Sequence, residues 1–108
     1  MLLILTYSYE RGAEMTATEI NFYEGEKKEI SGVVRPKNAG ETVIISSAKY
    51  EVTKLFSNDT VIKSGECEVN GSNFTVLLEF LDTGTYRLEV TIAVGREVII
   101  ERADINVR

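Results

Sequence analysis

The feature that most constrains the fold is a strict alternation of apolar and polar residues along positions 86–94. The apolar positions are Tyr86, Leu88, Val90, Ile92 and Val94, with Arg87, Glu89, Thr91 and Ala93 between them. A period of two is typical of a β-strand that buries one of its faces. The sequence therefore predicts a long strand with one face in a core.

A two-residue interruption at Gly95-Arg96 separates this strand from a second extended segment. Glycine in the first position suits a type II′ turn, whose first central residue needs a positive φ. Residues 85–94 and 97–107 are predicted to pair as an antiparallel hairpin.

The apolar positions of the second strand change parity along its length. Val98 and Ile100 share one parity, whereas Ala103, Ile105 and Val107 share the other. Because a shift of one residue moves every side chain to the opposite face, we predict a β-bulge near Glu101-Arg102 that reconciles the two halves.

The rest of the chain also has strand patterns, with an Asn70-Gly71 hairpin turn among them. Nothing in the sequence has a convincing helical period of 3.6 residues, so we expect an all-β domain of seven or eight strands. Its other strands are predicted at residues 16–23, 28–35, 42–56, 60–63, 66–69 and 73–81.

The run Asp82-x-Gly84-x-Tyr86-x-Leu88-x-Val90 resembles the segment before and within strand F of immunoglobulin-like domains. The resemblance implies an Ig-like antiparallel β-sandwich in which the hydroxyl of Tyr86 bonds back to upstream backbone. Leu88 stands where the second disulfide cysteine of such domains would be, which points away from antibody-type domains.

Composition argues against several kinds of function. The 108 residues include 17 acidic and 12 basic side chains, and the net charge of −5 argues against nucleic-acid binding. There is no histidine, and Cys67 is the one cysteine, expected as a half-buried strand residue. We therefore predict no enzyme activity and assign no catalytic, cofactor-binding or metal-binding residue.

Residues 1–14 allow two interpretations. Either they are an extension that is not native, with Met15 as the true start, or residues 2–9 form a genuine first strand. Residues 15–108 are predicted to be a single domain. No signal peptide and no apolar stretch of about 18 residues is present, so we expect no membrane span and synthesis in the cytoplasm.

A group of apolar residues falls on polar faces of the predicted strands. It comprises Val33, Leu77 and Ile99, together with the continuous run at residues 43–45. These residues predict a surface patch for a protein partner or for self-association into a homo-oligomer.

Residues 46–108 resemble, in their order of strands and turns, the small Ig-like domains of bacteriophage virion and tail-associated proteins. The resemblance implies a non-enzymatic structural or protein–protein interaction module that is assembled into a virion or tail.

The alternative is an accessory module of a bacterial protein that binds carbohydrate or another ligand. Sugar sites usually need exposed aromatic rings, and the sequence has no tryptophan. Tyr50 and Tyr86 are expected to be buried, so Tyr7, Tyr9 and Tyr23 are the candidate rings.

Overall fold

The computed structural model describes residues 2–9, 18–36, 43–56 and 58–108. Within these ranges there are nine strands and no helix. They are β1 (Leu2–Tyr9), β2 (Thr18–Phe22), β3 (Lys27–Pro36), β4 (Ser47–Lys54), β5 (Thr60–Glu66), β6 (Glu68–Asn70), β7 (Asn73–Glu79), β8 (Gly84–Val94) and β9 (Glu97–Val107).

The strands form two sheets that enclose one core, which confirms the predicted all-β sandwich. The four-stranded sheet has the order β1-β3-β7-β6, and the five-stranded sheet has the order β2-β9-β8-β4-β5. Strands β1 and β2 pair parallel with β3 and β9, respectively, whereas the other pairs are antiparallel. The orders β3-β7-β6 and β9-β8-β4 correspond to strands B-E-D and G-F-C of immunoglobulin-like domains.

Strands β5 and β6 belong to different sheets, although Cys67 is the single residue between them. The backbone N–H of Cys67 donates to the carbonyl of Ala48, with an N···O distance of 2.9 Å. One extended segment thus crosses from one sheet to the other, and counting it as one strand gives a total of eight.

The predicted hairpin of β8 and β9 is confirmed. The two strands pair without interruption from Gly84 opposite Val107 to Val94 opposite Glu97. Gly95 has a φ of 58°. A type II′ turn requires a positive φ at its first central residue. Hairpins favour this turn type because its backbone twist matches that of the flanking strands.

The core is built from alternating positions along the strands, among them Leu88, Val90 and Ile92 of the predicted hairpin. Eleven side chains are less than 2% exposed, and burying one of this kind contributes roughly 1.5–3 kcal/mol. They are Phe22, Phe74, Ile20, Ile30, Leu78, Leu88, Ile92, Ile105, Val34, Val52 and Val90.

Tyr86 lies at one end of this core and makes the hydrogen bond that the Ig-like resemblance implied. Its hydroxyl donates to the backbone carbonyl of Asp82 at 2.9 Å. Its ring packs against Phe80, which in turn contacts Phe22 edge-on, with ring centroids 4.7 and 4.9 Å apart. The bond fixes the turn before β8 onto the core.

The predicted β-bulge near Glu101-Arg102 is wrong. The register between β8 and β9 is continuous, so β9 keeps one phase throughout. Ile99 and Glu101 point into the core, at 6% and 3% exposure, whereas Val98 and Ile100 point outward at 66% and 40%. The error arose because an inward glutamate looks like a break in an apolar pattern.

An irregularity does occur in the pairing of β4 with β5. The register shifts between Val52 and Thr53. Ser64 and Gly65, predicted as a turn between two short strands, lie inside β5 instead.

The apolar residues predicted to form a surface patch separate in the structure. Leu77 is exposed on the four-stranded sheet, Val33 is half-buried, and Ile99 belongs to the core. In the run at residues 43–45, Ile44 is exposed while its two neighbours are buried. The expected partner or self-association stays a prediction.

The N-terminal segment at residues 2–9 forms β1, in register with β3 of the same chain. Met15 and residues 10–17 lie outside the described residues, so the hypothesis of a start at Met15 stays a prediction.

Candidate functional site

The outer face of the five-stranded sheet carries its side chains in cross-strand rows. The register of β9, β8 and β4 places the members of each row side by side. Read from β9 to β4, the rows are Asp104–Arg87–Thr53, Arg102–Glu89–Glu51, Ile100–Thr91–Lys49 and Val98–Ala93–Ser47. Because side chains alternate along a strand, these outward rows are separated from the core by the sheet itself. The face therefore changes from charged at one end to apolar at the other.

Two ion pairs order the charged end of this face. Arg102 Nε donates to Glu89 Oε2 at 2.8 Å, and Arg87 Nε lies 3.5 Å from Asp104 Oδ1. The four side chains are each about one-third exposed or more. Pairs exposed to this degree contribute about 0–1 kcal/mol to stability, so their main effect is to orient the charged groups.

A cavity of about 550 Å³ opens beside these pairs. Its lining combines β4, β8, β9 and the turn that follows β4. The lining residues are Thr53, Leu55, Asp59, Arg87, Glu89, Arg102 and Asp104. Both hydrogen-bond donors and acceptors face the same space, which is the arrangement expected of a site for a polar ligand.

The turn between β4 and β5 forms one rim of this cavity and has unusual backbone geometry. Phe56, Asn58 and Asp59 have φ values of 61°, 63° and 43°. Phe56 is 90% exposed, and its backbone N–H donates to Asp59 Oδ1 at 3.2 Å. A bulky residue at positive φ is a genuine outlier, and strained residues of this kind cluster at functional sites.

Two smaller cavities continue from the first along β4 and β8. The second, of about 340 Å³, shares Glu89 with the first. The third, of about 330 Å³, shares Lys49, Glu66 and Thr91 with the second and ends at Val98. We call the three together the sheet groove.

The charges of the first cavity nearly cancel. Its lining contains two arginines and three carboxylates, a formal sum of 2 − 3 = −1. Within the described ranges, no three His, Cys, Asp or Glu side chains are grouped to hold a metal ion. The cavity is suited to hydrogen bonding with an uncharged ligand.

The aromatic candidates from the sequence lie elsewhere. Tyr23 is exposed on the turn after β2, and Tyr86 is buried as expected. Tyr50, which was expected to be buried, is half-buried beside Gly65 and lines the second cavity of the groove. The side chains of Tyr7 and Tyr9 are outside the described part of the structure. The sequence reasoning missed Phe56, although its place directly before the Ser57-Asn58-Asp59 turn was a usable signal for exposure.

Two titratable groups are buried away from the groove. Burial raises the pKa of the Cys67 thiol to about 11, which disfavours the nucleophilic thiolate. Burial also raises the pKa of Glu101 to about 7, and its Oε2 has no hydrogen-bond partner among the described residues. Burial thus favours the neutral form of each group, and neither residue lines the groove.

No protein-family profile matches the sequence, and no curated protein does. Solved structures match the fold. CopC from Methylosinus trichosporium OB3b has a TM-score of 0.59 at 10% identity over 84% of both chains. PbICP-C, solved in complex with falcipain-2, has 0.58 at 10% identity over 98% of this chain and 99% of that one.

A blue copper protein and a polysaccharide monooxygenase share the fold as well. The blue copper protein auracyanin A from Chloroflexus aurantiacus has a TM-score of 0.53 at 11% identity over the whole of both chains. A polysaccharide monooxygenase, CBM33, has 0.50 at 13% identity over 86% of this chain and 60% of its own. The fold is Ig-like or cupredoxin-like. At these identities the likeness establishes the fold and nothing further.

These comparisons correct the predicted function. The expected role as a structural or assembly component of a phage virion or tail is wrong, because the solved structures that share the fold include copper and polysaccharide proteins and give the phage resemblance no support. The expected assembly into a virion is therefore unsupported as well. No described segment is a helix of sufficient length and apolar character to cross a membrane.

A blue copper site does not fit this chain. Such sites bind copper through two histidines and one cysteine. The sequence has no histidine, and its one cysteine, Cys67, is half-buried between β5 and β6. This chain therefore shares the fold of the blue copper protein and lacks the histidine ligands of its copper site.

Proposed function

We propose that this domain is a ligand-binding accessory module that holds a neutral carbohydrate in the sheet groove. The observation that carries the proposal is the interleaving of guanidinium donors and carboxylate acceptors on neighbouring rows of one sheet face. The two ion pairs, Arg102–Glu89 and Arg87–Asp104, present these groups to the same cavity.

Hydroxyl groups are the ligand groups that best match this lining. A hydroxyl donates one hydrogen bond and accepts others, whereas arginine only donates and an ionised carboxylate only accepts. A sugar with hydroxyls on adjacent carbons satisfies both kinds of side chain at once. Hydrogen bonds to charged groups are about twice as strong as neutral ones, so each contact that a hydroxyl makes with this lining is a strong one.

The electrostatics favour a neutral sugar. The first cavity has a formal charge of −1, and the whole chain has a charge of −5. An acidic glycan or a nucleic acid would be repelled by both fields. Phe56 is not part of the cavity lining, but it follows the lining residue Leu55 in the chain and is 90% exposed. In this proposal its ring offers an apolar surface for the C–H face of a sugar ring.

The fold is compatible with this proposal, since a polysaccharide monooxygenase shares it, but the groove carries the argument. The proposal concerns binding and includes no reaction.

Binding of a panel of neutral and acidic oligosaccharides, followed by isothermal titration calorimetry, tests the proposal. We expect at least one neutral glycan to bind. Arg102→Ala should weaken that binding about tenfold or more, because it removes charge-assisted hydrogen bonds. Arg96→Ala is the matched control, since Arg96 is exposed on the β8–β9 turn, outside the groove lining.

Two results would contradict the proposal. One is the failure of every neutral glycan to bind at millimolar concentration. The other is equal weakening by the Arg102 and Arg96 variants, which would show that general charge and not the groove governs binding.

A further inference from the structure

We propose that the sheet groove takes an extended glycan chain, which lies parallel to β4 and β8, and not a single terminal sugar. This inference rests on the proposed function and specifies the form of its ligand. It follows from the continuity, the length and the changing polarity of the groove.

Continuity comes from residues shared between neighbouring cavities. Glu89 lines the first and second cavities, and Thr91 lines the second and third. Both side chains project outward from β8, two residues apart. A ligand that lies over Glu89 therefore meets Thr91 next along the same face of β8.

The groove is longer than one sugar. Its rows run from Thr53, opposite Arg87, to Ser47, opposite Ala93, which is six residues along β4. At about 3.3 Å per residue the groove extends over about 20 Å. A pyranose ring spans a small part of this length, so several linked rings lie in it end to end.

Polarity falls steadily along that length. The first two rows contain both ion pairs, and the third has Lys49 directly opposite Glu66 on β5. The last cavity ends at Ala93 and Val98, and Val98 is 66% exposed. An exposed valine at the end of a polar groove is suited to the apolar face of a sugar ring.

This gradient separates the energetic roles of the two ends. The charged rows bind hydroxyls through hydrogen bonds that even a short ligand makes. The Val98 end adds apolar area that a ligand anchored on the charged rows reaches only if it is long. Affinity is therefore expected to rise with chain length until the groove is filled.

Calorimetry with size series of neutral β-1,4-glucan and β-1,4-mannan oligosaccharides, from monosaccharide to hexasaccharide, tests the inference. For the series that binds, we expect the hexasaccharide to bind at least about tenfold more tightly than the disaccharide. Val98→Ser should lower affinity for the hexasaccharide and leave the disaccharide unchanged, whereas Arg102→Ala should weaken both.

Leu77→Ser is the matched control, because Leu77 is an exposed apolar residue on the four-stranded sheet. It should change neither affinity. Equal affinities for short and long chains, or no effect of Val98→Ser on the hexasaccharide, would overturn the extended-chain inference and leave carbohydrate binding standing. Failure of both series to bind at any length would overturn the inference, and failure of every neutral glycan in the panel would overturn the proposed function as well.

Discussion

The ring of Phe74 lies against the backbone of Gly32, its partner in the antiparallel pair of β3 and β7. A Cβ built on Gly32 would come within 2.1 Å of ring atom Cζ and 2.4 Å of Cε1. The ring is fully buried, so it has no free space into which to move. Because Gly32 has no side chain, the core has room for the ring of Phe74 at this position.

We expect Gly32→Ala to destabilise the domain by about 1–3 kcal/mol, the usual cost of overpacking a core. Urea unfolding followed by circular dichroism measures the change. The double variant Gly32→Ala/Phe74→Leu should lose less than the sum of the two single variants, because the smaller side chain makes room for the methyl group. Additive losses would show that the two residues do not restrict each other.

Tyr86 anchors the turn before β8, so removing its hydroxyl should loosen that turn. Tyr86→Phe is expected to lower the free energy of unfolding by about 1 kcal/mol, because the carbonyl of Asp82 loses its buried donor. Tyr23→Phe, on an exposed side chain, is the control and should leave stability unchanged. Comparable losses in both variants would contradict a specific role for the Tyr86 bond.

Glu101 should make stability depend on pH near neutrality. Burial raises its pKa from 4.5 to about 7, so folding favours the protonated form. Between pH 4.5 and 7 the unfolded state binds fewer protons at this residue than the folded state does. The free energy of unfolding therefore decreases as pH rises through this range.

We therefore expect Glu101→Gln to gain stability relative to the wild type across that range. The gain should be small below pH 4.5 and level off above pH 7 at about 3 kcal/mol, because each unit of pKa difference between the folded and unfolded states corresponds to about 1.4 kcal/mol. Chemical denaturation at several pH values measures it. Glu79→Gln, on an exposed position of β7, should show no such trend. A gain that is independent of pH would mean that packing, and not ionisation, causes it.

Phe56 should affect stability and binding in different ways. Glycine accepts its φ of 61° without strain, whereas alanine retains the strain. Phe56→Gly is therefore expected to be about 1 kcal/mol more stable than Phe56→Ala. Both variants lose the ring, so both should weaken glycan binding to the same extent.

Thermal unfolding and calorimetry on the same two proteins check this prediction. Equal stability of the two variants would show that the backbone relaxes once the ring is removed. Unchanged glycan affinity in both would remove Phe56 from the proposed site.

The sequence was a good guide where a strand buries one face and exposes the other. The alternation from Tyr86 to Val94 predicted β8, and the Asp82-to-Tyr86 run predicted the hydrogen bond of the turn before it. Both signals are local, because they depend on residues a few positions apart. The same reasoning failed at Glu101, where a buried carboxylate occupies a position that pattern analysis assigns to an apolar residue.

The groove could not be predicted in the same way. Its rows depend on which strands are neighbours and on their register, and Thr53 and Arg87 are far apart in the chain. Local patterns assign polar residues to a solvated face without showing that Arg102 meets Glu89. Phe56 was missed because the strand predicted at residues 42–56 included it, whereas β4 ends at Lys54 and Phe56 lies in the turn.

The crossing of the chain at Cys67 bears on how the groove can respond to a ligand. Ser64, Gly65 and Glu66 form one side of the second cavity, and one residue later the chain is anchored in the opposite sheet. That side of the groove is thus restrained by β6 as well as by its pairing with β4. The conformational entropy of this side of the groove is lost when the domain folds. A ligand therefore binds to a preorganised site and does not have to order these residues.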